Sequence, residues 1–187
     1  MNEVHLRFLA SPEWARMLET DLLPWVLSVG DLGDDVLEVG PGPGLTTDLL
    51  RRQASKLTVV EIDAELATSL AARLSGTNVD VVHGDATDSG LVSGRFSAAT
   101  CFSMLHHITR PETQDLLFAE LHRLLRPRGI FVGTDSIDSE PIREFHVGDV
   151  FVPVDPITLG SRLEAAGFTD INVEPAGYQV RFNATKG

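Results

Sequence analysis

The chain has 187 residues, 43% of them hydrophobic, which is enough for one packed core. Its 15 Lys and Arg stand against 27 Asp and Glu, and the resulting formal charge of -12 disfavours nucleic-acid phosphates and anionic lipid as partners while favouring a soluble acidic surface. Cys101 is the only cysteine, which excludes an internal disulfide and leaves too few thiolates for an ordinary structural zinc site; no metal is expected.

Met1–Ala10 lacks a basic stretch leading into an apolar one, and the apolar runs elsewhere are short, so the expectation is a cytoplasmic protein with no membrane span. Two short helices, Pro12–Leu18 and Asp21–Val29, should then carry Trp14 and Trp25. From Val36 onward short apolar runs alternate with helical patterns. Val36–Val39, Leu57–Val60, Val79–Val82, Ala98–Phe102 and Ile130–Gly133 read as strands, and Leu45–Gln53, Ala64–Leu74 and Pro111–Leu125 as helices with apolar residues three and four apart. This is the pattern of βα units over a parallel sheet. Arg126-Pro127-Arg128-Gly129 supplies a helix stop. A last helix over Ile157–Ala166 precedes two strands, Asp170–Glu174 and Tyr178–Phe182, which Pro175-Ala176-Gly177 should join as an antiparallel hairpin. No repeat or linker divides the chain. One domain over 1–187 is expected, with a helical cap (1–34), a ligand-binding core (35–135) and a C-terminal part (136–187) holding an insertion, the last helix and the hairpin.

The strongest local signal is Val36-Leu37-Glu38-Val39-Gly40-Pro41-Gly42-Pro43-Gly44, a strand running into a glycine-rich turn and then a helix. Glycines at alternate positions allow a sharp bend and a close ligand approach. A dinucleotide loop would place its last glycine at position 45, which is Leu45, and the two prolines remove donors that a pyrophosphate would use. About 20 residues on, the second strand ends in Glu61-Ile62-Asp63, where Glu61 is placed to accept hydrogen bonds from two ribose hydroxyls. The third strand ends at His83-Gly84-Asp85-Ala86. Asp63 has a second reading as a helix cap and Asp85 as a strand terminator.

In order and spacing these segments resemble the class I, Rossmann-like S-adenosylmethionine-dependent methyltransferases, from about Val36 to the C-terminal hairpin. The resemblance implies an α/β fold with an open, doubly wound, mostly parallel seven-stranded sheet, a reversed last strand and helices on both faces. It implies S-adenosyl-L-methionine as cofactor and S-adenosyl-L-homocysteine as product. Gly40, Gly42 and Gly44 would line its methionine and ribose end, Glu61 would hold the ribose with Ile62 beside it, and Asp85 with Ala86 would frame the adenine. Glu38 would reach the amino group through water, and Phe102 belongs to the segment after the adenine site. Many relatives carry an acidic residue where this chain has Ser97, and Leu105-His106-His107-Ile108 resembles the small-molecule methyltransferases of the class.

Methyl transfer from a sulfonium is an in-line displacement that needs alignment above all, with the acceptor about 3 Å from the methyl carbon. An O–H or N–H acceptor is helped by a base, for which His106, His107 and His146 have suitable ordinary pKa values; His106 and His146 are taken as the catalytic candidates. Adjacent histidines at a helix start also bind backbone groups. Cys101 reads as a buried apolar residue, and Asp135 either faces the substrate or is an exposed loop carboxylate. Trp14, Trp25, Phe145 and Phe151 are candidate walls for an acceptor or simple helix anchors. The expected partner is a small-molecule methyl acceptor (O, N or C), without nucleic acid; a homo-oligomer is compatible with the sequence. A catalytically silent cofactor-binding regulator or scaffold stays open as the alternative, and a nicotinamide oxidoreductase ranks behind both.

Overall fold

The computed structural model describes residues 7–187; Met1 to Leu6, part of the stretch read for a leader, lie outside them. Helix α1 (Pro12–Met17) begins where the Ser11 hydroxyl accepts the Trp14 N–H, with proline just inside the first turn. It runs into α2 (Leu23–Val29) through a π-helical turn, Leu18–Leu22, where a break had been expected. Pro24 offers no N–H and crowds the carbonyl four residues earlier, and a widened turn ahead of it accommodates both.

Alternation then follows as β1 (Asp35–Val39), α3 (Leu45–Leu50), β2 (Lys56–Glu61), α4 (Ala64–Arg73), β3 (Val79–His83), β4 (Phe96–Phe102), α5 (Pro111–Leu124) and β5 (Leu125–Ser136). Helices α6 (Glu140–Phe145) and α7 (Pro156–Ala165) and strands β6 (Phe168–Ala176) and β7 (Gln179–Lys186) complete the described chain. The seven strands form one sheet in the order β3-β2-β1-β4-β5-β7-β6, parallel except for β7, which is antiparallel to both its neighbours. The expected architecture is therefore present.

The sheet divides the core in two because successive side chains point to opposite faces. Val36 joins Trp14, Val26, Leu57 and Leu70 under α1, α2 and α4. Leu37 and Val39 join Phe118, Phe131 and Phe182 under α5 and α7. Every residue of β4 is buried, as a central strand covered on both faces requires. Chain order reverses between β1 and β4, which opens a crevice above their C-terminal ends.

Three sequence expectations need correction. Arg126–Gly129 does end the helix, yet it forms a bulge inside β5: Leu125 pairs with Phe96 and Ile130 with Ala98, and of the residues between, Arg126, Pro127 and Arg128 are exposed while Gly129 is buried. Pro127 cannot donate to the ladder and Arg128 takes a left-handed φ of 64°, which suits a bulge. Pro175 and Ala176 belong to β6, paired with Val180 and Gln179, and the hairpin turns on Gly177-Tyr178 alone. Helix α6 was not anticipated. No helix among the described residues is long and apolar enough to cross a membrane.

Candidate active site

Beyond β1 the backbone turns through Gly40, Gly42 and Gly44, at φ of 65°, 54° and 85°, the left-handed region that glycine enters without a Cβ clash. A Cβ on Gly40 would stand 2.3 Å from Met104 Cγ, and one on Gly44 2.3 Å from Leu70 Cδ1. Gly42 is different: it lines a cavity, and a Cβ built there would meet no protein atom within 4 Å. The Gly40 N–H donates to the Val60 carbonyl at 2.9 Å and the Gly42 N–H to Glu61 Oε2 at 3.1 Å, fastening the turn to the tip of β2.

Glu61 is 5% exposed. Its Oε1 accepts the Asp63 N–H at 2.9 Å, so two backbone donors fix the carboxylate of a residue that lines the cavity. Asp63 has the capping role: its Oδ1 accepts the N–H groups of Glu65 and Leu66, opening α4. Asp85 similarly accepts the N–H and hydroxyl of Thr87 through Oδ1, starting the 3₁₀ turn Ala86–Asp88 at the rim.

The cavity measures about 420 Å³ and lies over the C-terminal ends of β1, β2 and β4. Of the residues singled out from sequence, Gly40, Gly42, Glu61, Ile62, Asp85, Ala86 and Phe102 line it. Ile62 is 69% exposed at its edge, an apolar side chain with little protein to cover it. Glu38, Gly44, His106 and His146 do not line it. Gly44 shapes the turn from behind, and its carbonyl accepts Arg73 Nη2 at 3.2 Å. Glu38 is buried in β1, where the Thr46 hydroxyl donates to one carboxylate oxygen and the Thr47 hydroxyl donates to the other at 2.6 Å. Burial pushes its pKa up to about 7, against the lowering effect of those two hydroxyls.

Opposite the glycine turn, β4 gives way to Ser103, a non-glycine residue at φ 51° on the cavity wall, and a 3₁₀ turn over Leu105–His107 follows. Asp135 organises this turn. It is fully buried within β5, so the exposed-loop reading is wrong: the strand continues past Gly133 to Ser136 and takes the carboxylate inside. Asp135 Oδ2 accepts the N–H groups of Met104 at 3.0 Å and Leu105 at 2.7 Å, and Oδ1 lies 2.6 Å from His106 Nδ1. A carboxylate held by backbone donors accepts there, so His106 carries its proton on Nδ1.

His107 is the histidine that meets the cavity. His106 and His146 stand behind it, with ring centroids 4.2 Å (His106–His107) and 4.8 Å (His106–His146) apart, and His146 stacks on Phe151 at 4.6 Å. Burial lowers the pKa of His107 to about 4, aided by its neighbour His106, and burial also lowers that of His146. Trp14 closes the cavity from α1, whereas Trp25 lies under the Arg181 guanidinium, 5.0 Å away. Ser97 is at the other end of the sheet: its hydroxyl donates to the Asp35 carbonyl at 2.8 Å and accepts the Asp35 N–H, tying β4 to β1. Cys101 is buried in β4, and burial pushes its thiol pKa well up, as expected of an inert core residue.

The sequence profile of the family described as Methyltransferase domain matches residues 37–133. Over 150 residues the chain is 29% identical to a probable S-adenosylmethionine-dependent methyltransferase of Mycolicibacterium smegmatis, a match covering 79% of this chain and 53% of that protein. A shorter match, 35% over 72 residues, joins it to a probable ribosomal RNA small subunit methyltransferase A of Pyrococcus abyssi and covers 37% of this chain and 27% of that protein. The chain thus spans about half the length of the first relative and about a quarter of the second. The crystal structure of a SAM-dependent methyltransferase from Aquifex aeolicus superposes with a TM-score of 0.78 at 19% identity over 100% of both chains, a likeness of fold.

Proposed function

The chain belongs to the methyltransferase-domain family, whose donor is S-adenosylmethionine, and from that premise we propose that it transfers a methyl group from this cofactor to an O, N or C atom of a small-molecule acceptor. The observation that carries the reading is the cavity of about 420 Å³ in which a fixed Glu61 carboxylate faces the bare backbone of Gly42. Its size suits a small molecule. The free lone pairs of Glu61 match a pair of ribose hydroxyls, Gly42 leaves the room that a side chain would take, and Ile62, Ala86 and Phe102 offer apolar surface for a flat base with Asp85 at its edge. Gly40 and Gly44 act through the shape of the turn, and Glu38 through the threonines that begin α3.

When bound, S-adenosylmethionine supplies a methyl group on a positively charged sulfur. The chain's own task is then to hold the acceptor in line and exclude water. Trp14 and Met104 wall the cavity, and His107 presents a polar ring to it. His106 and His146 are assigned to the acceptor side with His107, as one ring cluster whose His107 edge meets the cavity.

A small acceptor is favoured over ribosomal RNA by the net charge of -12, which repels a polyanion. The test is S-adenosylhomocysteine release with a panel of phenols, amines, carboxylic acids and activated carbon acids, alongside a ribosomal RNA fragment. Turnover with a panel member supports the proposal. Turnover with RNA alone, or cofactor binding without turnover on any acceptor, overturns it, the latter in favour of a silent binding module.

A further inference from the structure

We propose that His106, His107 and His146 form a binding site for one divalent late first-row metal ion of the zinc type, on the acceptor side of the cavity. One ring nitrogen from each lies within 4.8 Å of the other two. At the full separation the centre of such a triangle is about 2.8 Å from each nitrogen, against about 2.0–2.1 Å for a zinc–imidazole bond, so each ring needs to close by less than about 1 Å.

The groups behind the rings favour ligation. A metal-binding histidine usually gives its second nitrogen to a carboxylate or a backbone carbonyl, which fixes the tautomer and aims the free lone pair. His106 Nδ1 is held by Asp135 at 2.6 Å, and His146 Nδ1 donates to the Ile142 carbonyl at 2.7 Å. His107 Nδ1 lies 3.9 Å from a carboxylate oxygen of Asp149. His106 and His146 are thus oriented through Nδ1, and one nitrogen of each of the three rings stays within the 4.8 Å set. Two carboxylates, Asp135 and Asp149, stand close behind the rings and offset the charge of a dication.

Ion type follows from the donors. Three imidazoles suit zinc, nickel, copper or iron and not the oxygen-seeking magnesium or calcium. Among the described residues the cluster supplies three ligands, and His107, the cavity-lining ring, sets it beside the acceptor side of the cavity. An ion there would anchor and polarise an oxygen- or nitrogen-bearing acceptor, which makes ligation the role of His106 and His146. The inference uses the proposed function only to say which side the acceptor occupies.

The experiment is titration of the chelator-treated chain with Co²⁺, followed by visible absorption, and with Zn²⁺ by calorimetry. Expected are one equivalent bound, the intense visible bands of four-coordinate cobalt, and displacement by zinc. In His146→Ala, zinc affinity should fall at least 100-fold with S-adenosylhomocysteine affinity unchanged. In His146→Cys, tight binding should persist and cobalt should acquire a thiolate charge-transfer band, which a purely structural role for His146 would not produce. Absence of stoichiometric uptake by the wild-type chain, or uptake without the tetrahedral bands, overturns the site. Loss of S-adenosylhomocysteine binding would instead count against the proposed function, so the two fail separately.

Discussion

Replacing Glu38 with Gln should remove a pH dependence that the fold builds into β1. The carboxyl sits in a central strand at 1% exposure, and burial raises its pKa from an ordinary 4.5 to about 7. Because folding raises this pKa, the folded chain holds the proton between pH 4.5 and about 7 while the unfolded chain has released it. Stability therefore falls as pH rises through that window and levels off above it. The full displacement corresponds to roughly 3 kcal/mol, of which about 2.5 kcal/mol falls between pH 5 and 8. Gln keeps the shape and stays neutral, and the hydroxyls of Thr46 and Thr47 can turn to serve it as donor or acceptor. Urea unfolding of both proteins, followed by tryptophan fluorescence from pH 5 to 8, isolates the group, since other titrations cancel in the difference. The variant should gain about 2.5 kcal/mol relative to the parent across that range. A difference that stays flat with pH would refute the reasoning, because it would mean that Glu38 ionises at no cost inside the sheet.

Other substitutions separate the cavity from its frame. Glu61→Ala loses the clamp on Gly42 and the charged partner proposed for the ribose, and should weaken S-adenosylhomocysteine by about 1–3 kcal/mol in calorimetry; an unchanged affinity would remove Glu61 from the site. Gly42→Ala meets no protein atom, so it should cost only about 1 kcal/mol of stability from its positive φ while sharply reducing cofactor affinity. Gly44→Ala adds a clash with Leu70 and Arg73 to the same backbone strain, and should destabilise by about 2–4 kcal/mol, read as a lower urea midpoint. Ser97→Ala should cost about 1–2 kcal/mol of stability and leave cofactor affinity alone, since its hydrogen bonds to Asp35 lie at the far end of the sheet.

The legible parts of the chain were those whose meaning is local. A buried strand, a glycine turn and a helix follow one another within 15 residues from Val36 to Leu50, and the acidic tip of the next strand falls at a spacing that the βα unit dictates, so Gly42 and Glu61 could be placed together. The start of β5 misled because proline, a positive-φ residue and glycine look alike in a loop and in a bulge; pairing with β4 decides between them, and that is a tertiary fact. Asp135 was misjudged for the same kind of reason. Nothing near it in sequence reveals that its oxygens serve Met104, Leu105 and His106, some 30 residues away. His146 joins His106 and His107 only because α6, too short to show a helical period, brings the chain back against that 3₁₀ turn. The adjacent histidines did mark the region, but the ring that reaches the cavity is His107, set by the direction of a single 3₁₀ turn.

The most direct test is a calorimetric titration of the unmodified protein with S-adenosylhomocysteine, with NAD as the comparison. The cavity formed by Gly42, Glu61 and Phe102 predicts one site filled in the micromolar range or tighter by the homocysteine nucleoside, with no measurable heat from the dinucleotide. Binding of NAD, or no saturation by S-adenosylhomocysteine, would contradict it.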